Sequence, residues 1–138
     1  MNIPNTPEKF NISFERCVNN PLFIDQFYDI FLNSSDEIKP MFNDTNMETQ
    51  KAMLATSMAY MTSSYKSDPT LLADIAIKHN KNNLNIKPHL YAYWLDSLIT
   101  AAKTTDSAFN LQTEQMWRDI MQPGINQMIE SYNNTTKT

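Results

Sequence analysis

A single glycine in 138 residues constrains this chain more than any other feature. Average usage of about 7% would give roughly ten. Tight hairpin turns draw on glycine for positive φ, so a fold built on hairpins is disfavoured and an all-α fold is favoured. Proline does the punctuating instead. Seven prolines (Pro4, Pro7, Pro21, Pro40, Pro69, Pro88 and Pro123) divide the chain. Thr6-Pro7, Asn20-Pro21 and Asp68-Pro69 each set a capping side chain before a proline suited to the first helical position. Thr45-Asn46-Met47-Glu48 reads as a capping box.

Apolar residues at helical spacing follow these starts. Phe10, Phe14 and Cys17 line a first helix. Ile24, Phe27, Tyr28, Phe31 and Leu32 line a second, and a short turn at residues 35–38 ends before Pro40. A long helix over residues 46–66 turns Met47, Gln50, Met53, Leu54, Ser57, Met58 and Met61 inward. Residues 69–80 form a helix with the stripe Leu72, Ile75, Ala76 and His79, followed by a polar, asparagine-rich break over 80–85. Leu90, Tyr91, Trp94, Leu95, Leu98, Ile99 and Ala102 line a helix over 88–103. The last helix, 107–132, turns Met116, Trp117, Ile120, Met121, Ile125, Met128 and Ile129 inward, with Pro123-Gly124 expected to kink or loosen it. No alternating stretch reads as a strand. The expectation is one domain over residues 1–138, with disordered tails at 1–5 and 133–138.

The net charge of −4 and the lack of a basic run argue against a nucleic-acid partner. Cys17 is the only cysteine, so no internal disulfide can form, which suits a reducing compartment. No apolar run approaches the roughly 18 residues of a membrane span, and the polar N-terminus lacks the apolar core of a signal peptide. The chain reads as soluble and cytoplasmic, with no membrane association.

His79 ends its apolar stripe as a lone imidazole, and His89 is the only other histidine. One inward histidine cannot build a zinc site, which takes three or four protein ligands. A haem iron needs only one, because the porphyrin supplies the other four. On the residues alone, a core histidine fits the same pattern. So does a core role for Tyr28, and Phe42, Trp94, Trp117 and the methionines read as packing. His89, just after Pro88, reads as an exposed helix-start residue, and Cys17 as inert packing.

Taken in order, the local motifs resemble bacterial single-domain globins and the globin part of flavohaemoglobins. Gln26-Phe27-Tyr28 resembles the segment that carries a distal-pocket tyrosine. Lys39-Pro40-Met41-Phe42 resembles the corner whose phenylalanine wedges against the haem. Gln50 with Met53-Leu54 resembles the distal helix, and Ile75-Ala76-Ile77-Lys78-His79 the segment ending in the iron-binding histidine. Ile86-Lys87-Pro88-His89-Leu90-Tyr91 resembles the start of the next helix with its proximal-side tyrosine, and residues 117–128 the last helix.

The resemblance implies a globin fold of about seven helices around haem b (iron protoporphyrin IX). It implies His79 as the metal ligand and Tyr28 and Gln50 as distal donors to a small ligand. Phe42, Met53 and Leu54 would keep the pocket dry, and Tyr91 would orient His79. The implied ligands are O2, NO and CO. NO dioxygenation would depend on a separate reductase, since no dinucleotide motif is present. A gas or redox sensor acting through a partner protein and a haem-free interaction module are the alternative readings, and the chain would act as a monomer or homodimer. Two features depart from flavohaemoglobins. The link from His79 to Tyr91 is longer, and Glu130 lies off the register of the glutamate that completes their proximal hydrogen-bond network. Trp94 brings the chain closer to stand-alone and sensor-like globins.

Overall fold

The computed structural model describes residues 8–64, 70–79 and 85–136. Six α-helices and one 3-10 turn make up its regular structure: α1 (Glu8–Val18), α2 (Phe23–Leu32), the turn Lys39–Phe42, α3 (Met47–Ser64), α4 (Thr70–His79), α5 (Leu90–Thr105) and α6 (Leu111–Thr136). No strand occurs among the described residues. Counting the 3-10 turn as a helix gives the seven expected. The caps expected at Thr6-Pro7 and Asp68-Pro69, the side chain of Leu72 and residues 80–84 of the polar break lie outside the described residues.

Asparagine side chains set several helix starts. At α2, Asn20 Oδ1 accepts the Leu22 N–H at 2.9 Å and the Asn20 carbonyl accepts the Phe23 N–H. Pro21 therefore sits in a lead-in turn, and the helix begins at Phe23 rather than at Pro21. At α3 the cap is Asn46, whose Oδ1 accepts the Thr49 N–H at 3.2 Å, rather than Thr45. At α6 the cap is Asn110, which accepts the Thr113 N–H at 2.9 Å. The last helix thus starts at Leu111 instead of 107. It also runs through Pro123-Gly124 without a break and on to Thr136, four residues past the expected end. Proline removes one bond to the carbonyl of Asp119, an exposed residue whose backbone water can serve. Buried Ile120, Met121, Ile125 and Met128 hold both halves in the core.

The chief packings set α2 against α5 and α4 against α6, with α3 lying on α4 and α6. One hydrophobic core runs through all of them. At one end Trp117, fully buried, is surrounded by Phe10 (centroids 5.2 Å apart, edge-on), Phe14, Phe23 and Phe109. Its indole N–H donates to Ser13 Oγ at 3.0 Å. Ser13 in turn hydrogen-bonds Asp106, which is only 2% exposed and also accepts from Arg16 at 2.9 Å and from the Ala108 N–H. This chain of bonds ties α1 to the α5–α6 corner. Cys17 lies beside it, its thiol pushed up to about 12 by burial and by the nearby Asp106 charge, so it stays a neutral packing group.

Burial pushes the Asp106 carboxyl up, but the bonds from Ser13, the Ala108 amide and Arg16 outweigh it and hold the group below its ordinary range. Its stabilisation is complete above the unfolded-state pKa of about 4 and is lost as pH falls through the lowered folded value. Asp106→Ala leaves Ser13 and Ala108 without their acceptor and is expected to cost about 2–3 kcal/mol at pH 7. In urea denaturation the gap to wild type should be full at neutral pH and close in strong acid.

Candidate functional site

The core is hollow between α2, α3, α4, α5 and α6, with a cavity of about 450 Å³. That size falls within the range of small-molecule and cofactor pockets. All seven residues singled out from the sequence line it: Tyr28, Phe42, Gln50, Met53, Leu54, His79 and Tyr91. Most of the wall is apolar, from Phe31, Ile38, Met61, Ile75, Leu90 and Ile125 among others. Thr56 and Ser57 line the cavity too, but their hydroxyls donate back to the Ala52 and Met53 carbonyls of their own helix.

His79 reaches the cavity from the last residue of α4. Its Nδ1 lies 2.7 Å from the carbonyl oxygen of Ile75, one turn back. A carbonyl only accepts, so Nδ1 carries the proton, which in the neutral ring leaves the lone pair on Nε2. The backbone on the other side of His79 is also held, because its carbonyl accepts the Ile86 N–H at 2.9 Å. Asn85 makes that return possible with φ of 55°, in the left-handed region that asparagine tolerates, and accepts from the Tyr132 hydroxyl at 2.9 Å.

Gln50, in the first turn of α3, faces Tyr28 of α2 with its amide donating toward the phenol oxygen. Burial pushes the Tyr28 phenol up and the Gln50 bond only partly offsets this, so Tyr28 is a neutral hydroxyl donor across the physiological range. Phe42 stands edge-on to both Tyr28 and Phe31, with centroids 6.1 Å away in each case. Leu54 is buried, whereas Met53, one position round the helix from the buried line of Leu54, Met58 and Met61, is 49% exposed at the rim. The inward face expected of Met53 is therefore corrected to a rim position.

Tyr91, in the first turn of α5, is 7% exposed, and its hydroxyl has no hydrogen-bond partner among the described residues. Burial alone pushes this phenol well above its ordinary range. Glu130 is exposed on α6, while Ile125 and Met128 of that helix face the cavity. No carboxylate of α6 thus completes a network with Tyr91. His89 is exposed and pairs with Glu37 at 2.9 Å, tying the turn before α3 to the start of α5.

Sequence reasoning treated Trp94 and the methionines as packing. Trp94 lines the cavity, edge-on to Phe27, and Met41, Met61 and Met128 join Met53 in its wall. The signal for Trp94 was its spacing: Leu90, Tyr91 and Trp94 share the cavity-facing side of α5. Among the described residues no group of three or more His, Cys, Asp or Glu could hold a metal, and no helix is long and apolar enough to cross a membrane.

Five of the six helices enclose an apolar cavity entered by one histidine and a tyrosine–glutamine pair, the arrangement of a single-domain globin. No family model and no curated protein matches the chain. Among solved structures it is similar to protein PA3967 from Pseudomonas aeruginosa PAO1, described as structurally highly homologous to human hemoglobin. The two share 31% identity at a TM-score of 0.87, over 91% of this chain and 96% of that one. The chain belongs to the globin family, as a bacterial single-domain globin.

Changing Tyr91 to Phe removes a buried hydroxyl that has no partner. In the ligand-free chain this should raise stability by about 1 kcal/mol, since the desolvation cost disappears with the group. Thermal denaturation of the two proteins measures it, and a loss of stability would mean that the hydroxyl has a partner.

Proposed function

We propose that this globin binds haem b through His79 and holds small diatomic ligands, O2 first, with NO and CO as further ligands. The observation that carries this reading is the Nδ1–H bond from His79 to Ile75 at 2.7 Å inside the cavity. It presents the Nε2 lone pair, the form a metal-ligating imidazole needs. The wall suits a flat, largely apolar group, and the unpartnered Tyr91 hydroxyl is the kind of buried polar atom that a ligand accounts for. When bound, haem supplies an iron that takes a diatomic ligand.

The residues of the chain do the rest in this reading. Phe42 wedges the group, and Leu54 and Met53 limit water. Tyr91 offers its unpartnered hydroxyl to steady the His79 ring once the group is bound. Tyr28 donates its hydroxyl to the partial negative charge on the small ligand, with Gln50 positioning Tyr28 and offering its own amide. Slow ligand release of this kind suits chemistry on O2, such as conversion of NO to nitrate with an external reductase in the cytoplasm, better than bulk transport.

Titration with haem, followed by absorption in ferric, ferrous, O2 and CO forms, tests the assignment. Wild type is expected to take up one equivalent with a strong Soret band, and His79→Ala to give a weak or altered spectrum. No stoichiometric uptake by wild type would end this reading. Tyr28→Phe is expected to speed O2 dissociation about tenfold or more, the equivalent of one hydrogen bond of about 1.4 kcal/mol. An unchanged rate would remove Tyr28 from its role.

A further inference from the structure

The charge of this globin is unevenly placed. Residues 25–51 hold Asp25, Asp29, Asp36, Glu37, Asp44 and Glu48 against Lys39 and Lys51, a balance of −4 that equals the net charge of the whole chain. All six carboxylates are exposed. Asp25 pairs with Lys51 at 2.7 Å and Glu37 with His89. Asp29, Asp36, Asp44 and Glu48 have no ion pair among the described residues. What differs elsewhere is the balance of charge: the rest of the chain holds nine acids against nine bases, with Asp96, Asp106 and Glu114 paired with Arg or Lys and Glu8, Glu15, Asp119 and Glu130 without an ion pair among the described residues. Asp25, Asp29 and Glu48 all act electrostatically on Lys51, which places them around one spot beside Gln50.

That spot borders an uncharged, exposed part of the cavity wall. From Ala52 to Ser64, α3 carries no charged residue. Ala52, Met53, Thr56 and Tyr60 are exposed and at the same time line the cavity, as does Met41 of the 3-10 turn. An apolar centre with a polar rim of net negative charge, Lys39 and Lys51 included, is the layout of a transient protein interface. A second copy of this chain would bring the same negative rim to the contact and be repelled. A positive rim is what fits.

We propose that this face, the outer side of α3 with the acidic arc from Asp25 to Glu48, docks a one-electron donor protein whose redox centre is surrounded by basic side chains. This rests on the haem reading above. The docked donor would pass one electron to the ferric iron through the Met53 side of the cavity, with no bond formed or broken.

Reduced cytochrome c serves as a diamagnetic, basic probe whose redox centre opens on a lysine-rich face. Titrated into 15N-labelled protein at low ionic strength, it is expected to shift amides of α2, the 3-10 turn and the first half of α3, and the shifts should fade as salt rises. The triple variant Asp29→Asn, Asp44→Asn, Glu48→Gln is expected to weaken binding about tenfold or more. A control of equal charge change on α6 and α5, Asp96→Asn, Asp119→Asn, Glu130→Gln, should change it less than twofold. Equal losses in the two triples, shifts spread over other faces, or self-association through α3 in sedimentation would overturn the proposal. Haem uptake, read separately from the Soret band, would fail without altering these shifts if only the haem reading were wrong.

Discussion

Trp117 is the side chain on which the helix arrangement depends. It gathers aromatic rings from α1, α2 and the α5–α6 corner, and its one polar atom is answered by Ser13. Ser13 passes the bond on to Asp106, and Asp106 holds Arg16. A buried network of this kind is favourable only if every member is satisfied, and here each one is. The dense packing sits at one end of the molecule. The consequence at the other end is that α2, α3 and α4 can stand apart around a cavity without the bundle losing its definition.

Inside the cavity the polar groups are few, and each is controlled by its neighbours. The Ile75 carbonyl fixes which nitrogen of His79 carries the proton. Gln50 holds Tyr28, and burial keeps that phenol neutral. Thr56 and Ser57 are absorbed by their own helix. Tyr91 is the exception, a buried hydroxyl with no acceptor among the described residues. The chain lacks an α6 carboxylate at this point, with Ile125 and Met128 on the cavity side and Glu130 in solvent.

Much of this arrangement was legible in the sequence because it rests on period and punctuation. The near absence of glycine and the apolar stripes indicated helices, and the stripe ending in His79 indicated the inner face of α4. Tyr28, Phe42, Gln50 and Leu54 were expected on the cavity from the resemblance to bacterial single-domain globins, and all four line it. What was not legible depends on tertiary contacts. Asn46 and Asn110 take the caps from Thr45 and residue 107 because their side chains reach the right amide, which spacing cannot decide. Pro123 does not interrupt α6 because the core grips both sides of it. Ser13 and Asp106 read as solvent positions on a polarity scale and are among the most buried polar groups. Met53 faces the rim because α3 is apolar on more than one side, so hydrophobicity alone could not say which side is inside.

The central claim is that the His79 imidazole, fixed by Ile75 as the Nδ1–H tautomer, is the one protein ligand to haem. The most direct measurement is the nitrogen spectrum of the two histidines in 15N-labelled protein, before and after one equivalent of ferrous haem with CO. The account expects a single neutral Nδ1–H tautomer for His79 at the start. On haem addition its Nε2 resonance should move strongly while the Nδ1 proton persists, and His89 should stay as it was. A His79 resonance unmoved by haem, or a shift at His89 in its place, would contradict it.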